Sequence, residues 1–122
     1  MAVLLGYAAV AIVFSWPLPL HLGTALTGGP GGDTGVYVWN QWVFHHEVIE
    51  QRTLPYVTNT IFGRHRANLS LHNYTTFQNL LALPLIRIIG VIATFNVVYL
   101  LMTVWTAYAT FLLARRIVGP TP

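Results

Sequence analysis

The sequence contains no cysteine and no lysine, and only three of its 122 residues are acidic. Without cysteine there is no disulfide framework, no thiolate metal site and no cysteine nucleophile. Without lysine there is no Walker-type phosphate loop and no Schiff-base chemistry. Charged residues make up 7% of the chain, where a soluble globular domain carries about 25%. Asp33, Glu47, Glu50 and six arginines are too few for a water-facing surface, which argues against a soluble enzyme and against disorder. The net charge of +3 reflects scarce acids rather than a basic surface. No basic cluster exceeds two residues, so nucleic acid is not an expected partner.

What is abundant is apolar. Hydrophobic residues make up 55%, and the mean hydropathy is +0.60. The length allows one domain, and the composition is that of an integral membrane protein. The expected fold is all-α, with two to three transmembrane helices and an interfacial amphipathic helix in the first loop. The lipid bilayer is the first expected partner.

Charge is confined to the middle. None precedes Asp33, and all three acids and three of the arginines lie between Asp33 and Arg66. The pattern predicts a first transmembrane helix over 1–22, a polar loop over 23–75 and an apolar hairpin over 76–118, with a tail at 119–122. The first segment reaches roughly 31 Å as a helix, about one hydrocarbon core, although Pro17 and Pro19 favour an end near Trp16. A cleaved signal peptide fits less well, because no basic region precedes the apolar run. The loop opens with a glycine-rich stretch, Gly28 to Gly32, whose spacing matches no nucleotide-binding fingerprint.

Residues 34–51 read as an amphipathic helix. Val36, Trp39 and Val43 recur at helical spacing, while Asn40, Gln41, His45, Glu47 and Gln51 gather on other faces. Trp39 and Trp42 are one turn apart and suit a membrane interface. Arg52 to Tyr74 reads as irregular. The segment 76–89 reaches only about 21 Å as a helix, short of a ~30 Å core, so it is either a tilted span or a re-entrant piece. Val91 to Ala114 is uncharged and reaches roughly 36 Å, a transmembrane helix expected to run over 91–116. Thr103, Ala107, Thr110 and Ala114 form a small-residue stripe along it, which would let another helix approach closely. If all three segments span, Arg115-Arg116 and the polar loop share a side; if 76–89 only dips in, they face opposite sides.

Few residues can carry chemistry. Asp33 is expected at the start of the loop helix, either as an N-cap whose carboxylate accepts backbone N–H bonds or as a general base or metal-binding carboxylate. His45-His46-Glu47 are neighbours about 100° apart on a helix and do not converge on one ion, whereas His46 and Glu50 share a face. Arg64 and Arg66 are the densest cationic spot, suited to lipid phosphates or to simple anchoring. Arg87 interrupts an apolar segment, and Asn96 marks the boundary of the last helix.

Several short motifs occur in one order. They are Gly31-Gly32-Asp33-Thr34, Tyr37-Val38-Trp39-Asn40-Gln41-Trp42, Ile61-Phe62-Gly63, Asn68-Leu69-Ser70, Asn79 to Leu85, Gly90 to Asn96, and Leu112 to Arg116. This order, covering nearly all of the chain, resembles the N-terminal part of bacterial and archaeal membrane glycosyltransferases of the GT-C superfamily, whose relatives include protein O-mannosyltransferases and aminoarabinose transferases. The resemblance implies transfer of a sugar from a polyprenyl-phosphate donor, in a prokaryotic plasma membrane, with 76–89 a true span and the 23–75 loop extracytoplasmic. It implies Asp33 as the catalytic acidic residue, Arg64 and Arg66 as contacts to the donor phosphate, and Trp39 and Trp42 as interface residues. A divalent metal ion at Asp33 is one expectation. Such enzymes have many more spans, so the remaining transmembrane helices are expected partners and this length is expected to be an inactive fragment. The rival expectation is a small non-enzymatic membrane protein that pairs through the stripe on its last helix. A transporter piece ranks third, because no matched pair of broken helices is present.

Overall fold

The computed structural model describes residues 1–29, 32–62 and 65–119. Pro30, Gly31, Gly63, Arg64 and the 120–122 tail lie outside the described residues, and with them parts of the glycine-rich and Ile61-Phe62-Gly63 motifs. Four α-helices dominate: α1 (Ala2–Phe14), α2 (Thr34–His45), α3 (Thr76–Ile89) and α4 (Val91–Val118). A short 3-10 turn at Leu18–Leu20 follows α1, and a π-helical turn at His46–Glu50 extends α2. The helix expected over 34–51 is therefore present, with a change of winding at its end.

The expectation of an all-α fold needs correction. Two strands, β1 (Val57–Phe62) and β2 (His65–Asn68), pair antiparallel, with Val57 opposite Asn68 and Thr58 opposite Ala67. The β-branched run Val57, Thr58, Thr60 and Ile61 favours extended backbone. Thr58 and its partner Ala67 are both buried, so this part of the hairpin has an inner face. The irregular reading of 52–74 missed it because Asn and Thr mask a short alternation.

Only α4, among the described residues, is long and apolar enough by itself to cross a membrane; α1 and α3 are apolar but shorter. Two local stops account for this. The Ser15 hydroxyl folds back onto the Ala11 carbonyl at 2.7 Å, and Pro17 follows. Gly90, at φ 79° and ψ 168°, separates α3 from α4. That conformation belongs almost solely to glycine.

The helix α1 runs antiparallel to α4. Ala11, Phe14 and Ser15 lie beside Tyr99, Leu100 and Thr103, and the chain just beyond α1 meets Asn96. Ala82 and Ile86 of α3 pack on Val98 of α4, with Leu85, Val91 and Met102 around them. Buried positions on α3 are Asn79, Ala82 and Ile86, one face at helical spacing.

The interior mixes polar with apolar side chains, and much of the exterior is apolar. Asn40, Gln41, His45, Glu47, Asn79, Thr94 and Asn96 are all buried, whereas Trp105, Ile88 and Phe14 are widely exposed. On α2 the amides Asn40 and Gln41 are buried together with Val43 and Phe44.

Candidate functional site

Asp33 stands at the N-cap position of α2. Its main-chain carbonyl accepts from the N–H groups of Val36 and Tyr37 at 3.0 and 3.2 Å. The expected carboxylate cap is not made. The reason is conformational: Asp33 is already helical, at φ −71° and ψ −8°, whereas a capping residue sits in the β region to bring its side chain over the following N–H groups. The carboxylate is left exposed.

One residue further on, Thr34 lines a cavity of about 340 Å³. Thr34, Tyr37 and Gln41 reach it from α2, and Thr75, Gln78 and Asn79 from the start of α3. Phe95 and Tyr99 of α4 supply aromatic surface. No charged side chain lines it among the described residues. Asn79 is 2% exposed, and its Nδ2 has no hydrogen-bond partner among the described residues. Tyr37 Oη accepts from Asn73 Nδ2 at 2.8 Å. Gly28 brings the preceding loop close: at φ 96° it is strained for any other residue, and an added Cβ would meet Thr34 Oγ1 at 3.1 Å.

Two consecutive residues of α2 fix both flanks of α3. Asn40 Nδ2 donates to the Asn73 carbonyl at 3.2 Å, and Gln41 Nε2 donates to the Val91 carbonyl at 3.2 Å. His72 Nε2 lies 3.0 Å from Asn40 Oδ1, on the oxygen side of that amide. The loop before α2 is tied to α4 by Asn96, whose Nδ2 donates to the carbonyls of Leu22 and Ala25, both at 2.7 Å. The sequence had marked Asn96 only as a boundary.

A second polar group surrounds the π-helical turn. His46 Nδ1 is 2.7 Å from Glu50 Oε2, and His45 Nδ1 approaches Glu50 Oε1 at 3.7 Å. The wider turn brings both neighbours to one carboxylate, which an α-helix would not do. Trp42 stacks on His46 with ring centroids 5.2 Å apart, and Trp39 meets His72 edge-on. Glu47 accepts from Thr53 Oγ1 at 2.8 Å. Burial, then the charge of Glu47, then Tyr56, push the Tyr74 phenol up to about 12. No cluster of three metal-ligating side chains occurs among the described residues.

The other expected site residues are dispersed. Arg66 is exposed on β2 and is not in the cavity wall; Arg64 lies outside the described residues. Arg87 is exposed in the last turn of α3, where a cation suits the helix C-terminus. Thr103, Thr110 and Ala114 are exposed and Ala107 is half-buried, so the stripe is largely uncovered. Sequence reasoning missed Tyr37, Gln78 and Asn79. The signal available for the last two was a pair of amides inside an apolar segment, a costly placement that marks a working residue.

Comparison with protein-family models, curated proteins and solved structures finds no match to this chain.

Proposed function

We propose that the chain is the N-terminal part of a membrane glycosyltransferase that moves a sugar from a polyprenyl-phosphate donor to an acceptor. The observation that carries the reading is the exposed Asp33 carboxylate, free of a capping bond, one residue from the uncharged cavity that Thr34 lines. A carboxylate so placed is free to take a proton from an attacking hydroxyl. Arg66, with Arg64, is the proposed contact to the donor phosphate, and Trp42 is one of the aromatic residues that seat α2 at the membrane interface.

The arrangement of α3 supports an orientation. Both of its flanks are held by adjacent residues of α2, which favours a helix that stays at the polar end and dips, in departure from the true span that the resemblance implies. The polar loop and Arg115-Arg116 then lie at opposite ends of α4. That agrees with a cytoplasmic arginine pair and an extracytoplasmic loop together.

The test is sugar transfer from a polyprenyl-phosphate donor in membranes expressing the whole product of the reading frame. Asp33→Asn is expected to abolish transfer while the protein still inserts. Undiminished transfer by that variant refutes the role of Asp33.

A second reading, a small protein that pairs with a partner helix, is favoured by one observation. The stripe on α4 is largely uncovered, and its Thr103 and Thr110 hydroxyls are already bonded to the Tyr99 and Thr106 carbonyls. Self-association lost on Ala107→Leu would support it.

A further inference from the structure

We infer that the cavity between α2, α3 and α4 is a subsite for one uncharged, polyhydroxylated ring, a neutral saccharide unit, and that it rejects amino sugars and uronic acids. The inference deepens the transferase reading; only the fate of the sugar rests on that reading, and the cavity's selectivity does not.

Size comes first. At about 340 Å³ the space lies at the small end of the ~300–1,000 Å³ usual for small-molecule sites. It suits a single ring rather than a lipid-linked donor in full.

Charge decides the class. Among the described residues the walls carry amides, hydroxyls and aromatic rings and no ionised group. A phosphate, ammonium or carboxylate placed there would lose part of its water without gaining a counter-charge from the described walls, which is unfavourable. Asp33 precedes the wall and Arg66 lies on β2, so neither lines the space.

The polar groups complement hydroxyls in particular. Asn79 Nδ2 is a buried donor with no partner among the described residues. The Tyr37 hydroxyl accepts from Asn73 and keeps its own proton to donate. Gln41 spends its amide N–H on the Val91 carbonyl, which leaves its carbonyl oxygen as an acceptor. Donors and acceptors thus stand side by side, and a sugar hydroxyl is the group that both donates and accepts. Phe95 and Tyr99 offer flat apolar surface for the C–H face of the ring.

The experiment is saturation-transfer NMR on the chain in nanodiscs with methyl mannoside and methyl glucoside, against methyl glucosaminide and methyl glucuronide. The neutral glycosides are expected to bind in the millimolar range, and the charged ones about ten-fold or more weakly. Asn79→Leu and Gln78→Leu are each expected to weaken neutral binding about ten-fold or more. Gln78 is exposed on α3, so its variant keeps the test valid if Asn79→Leu does not fold, with helicity as the check. No binding of either neutral glycoside, equal binding of charged ones, or insensitivity of a folded variant to the change overturns the inference. Neutral binding by a full product that transfers no sugar would sink the transferase reading and leave the cavity assignment standing.

Discussion

Individual side chains here act mostly through neutral hydrogen bonds. Asn96 satisfies two carbonyls of the loop after α1 with one amide group, from a fully buried position. Asn96→Leu strands both carbonyls, and a loss of about 1–3 kcal/mol is expected, read as a lower melting temperature in detergent. Tyr74 gives a prediction with a sign. Its phenol ionises near 10 when unfolded and at about 12 in the fold, so between these values the folded state holds the extra proton. Stability is then complete below pH 10 and is lost as pH rises through 12. Tyr74→Phe is expected to flatten that alkaline decline in a melting series. Its hydroxyl is buried without a partner among the described residues, so the change costs little at neutral pH. Neither asparagine nor tyrosine advertises such a role in sequence. Asn96 read as a boundary because its partners, Leu22 and Ala25, are remote in the chain and offer only backbone.

Among the elements, the two hinges of α3 differ in kind. Its start is held by a side-chain bond to the Asn73 carbonyl, and its end turns on the backbone of Gly90. Nothing lies within 4 Å of a Cβ added at Gly90, so Gly90→Ala meets no steric block and its cost is purely conformational, about 1–3 kcal/mol. A denaturation series in mild detergent is the measurement, with Gly29→Ala, also in open space and without a positive φ, as the unaffected control. Helix limits were legible where glycine punctuates an apolar run: Gly90 parts α3, which ends at Ile89, from α4, which begins at Val91, whereas Pro84 lies inside α3 without ending it. The hairpin of β1 and β2 was not legible, since Thr58 faces inward against Ala67 and a buried threonine does not stand out among polar neighbours. The amides of α2 were legible as a polar face, but their partners were not, because those are main-chain carbonyls remote in the chain.

Taken as a whole, the molecule has a polar end and an apolar shaft. Asp33 was legible as a candidate because acids are so few. The cavity beside it was not, because its walls come from three helices and carry no charge to mark them. The topology proposed for the shaft can be read by single cysteines, since the native chain has none to interfere. Leu71→Cys and Ile89→Cys, one on each flank of α3, are expected to react with a membrane-impermeant thiol reagent from the same side. Arg116→Cys is expected to react only from the other. Opposite-side labelling of the first pair would make α3 a true span and overturn the orientation proposed above.

The paired grip of Asn40 and Gln41 has a consequence for how this segment can vary. Both anchors take hold of main-chain oxygen, which every amino acid supplies. The identity of the residues at 73 and 91 is therefore of little concern to the grip. Within α3, only the positions turned inward, Asn79, Ala82 and Ile86, are constrained by shape. The stretch from Asn73 to Val91 thus behaves as an exchangeable cassette. A foreign helix of the same length, keeping those three inward residues and Gly90 with its positive φ, is expected to be held between the anchors.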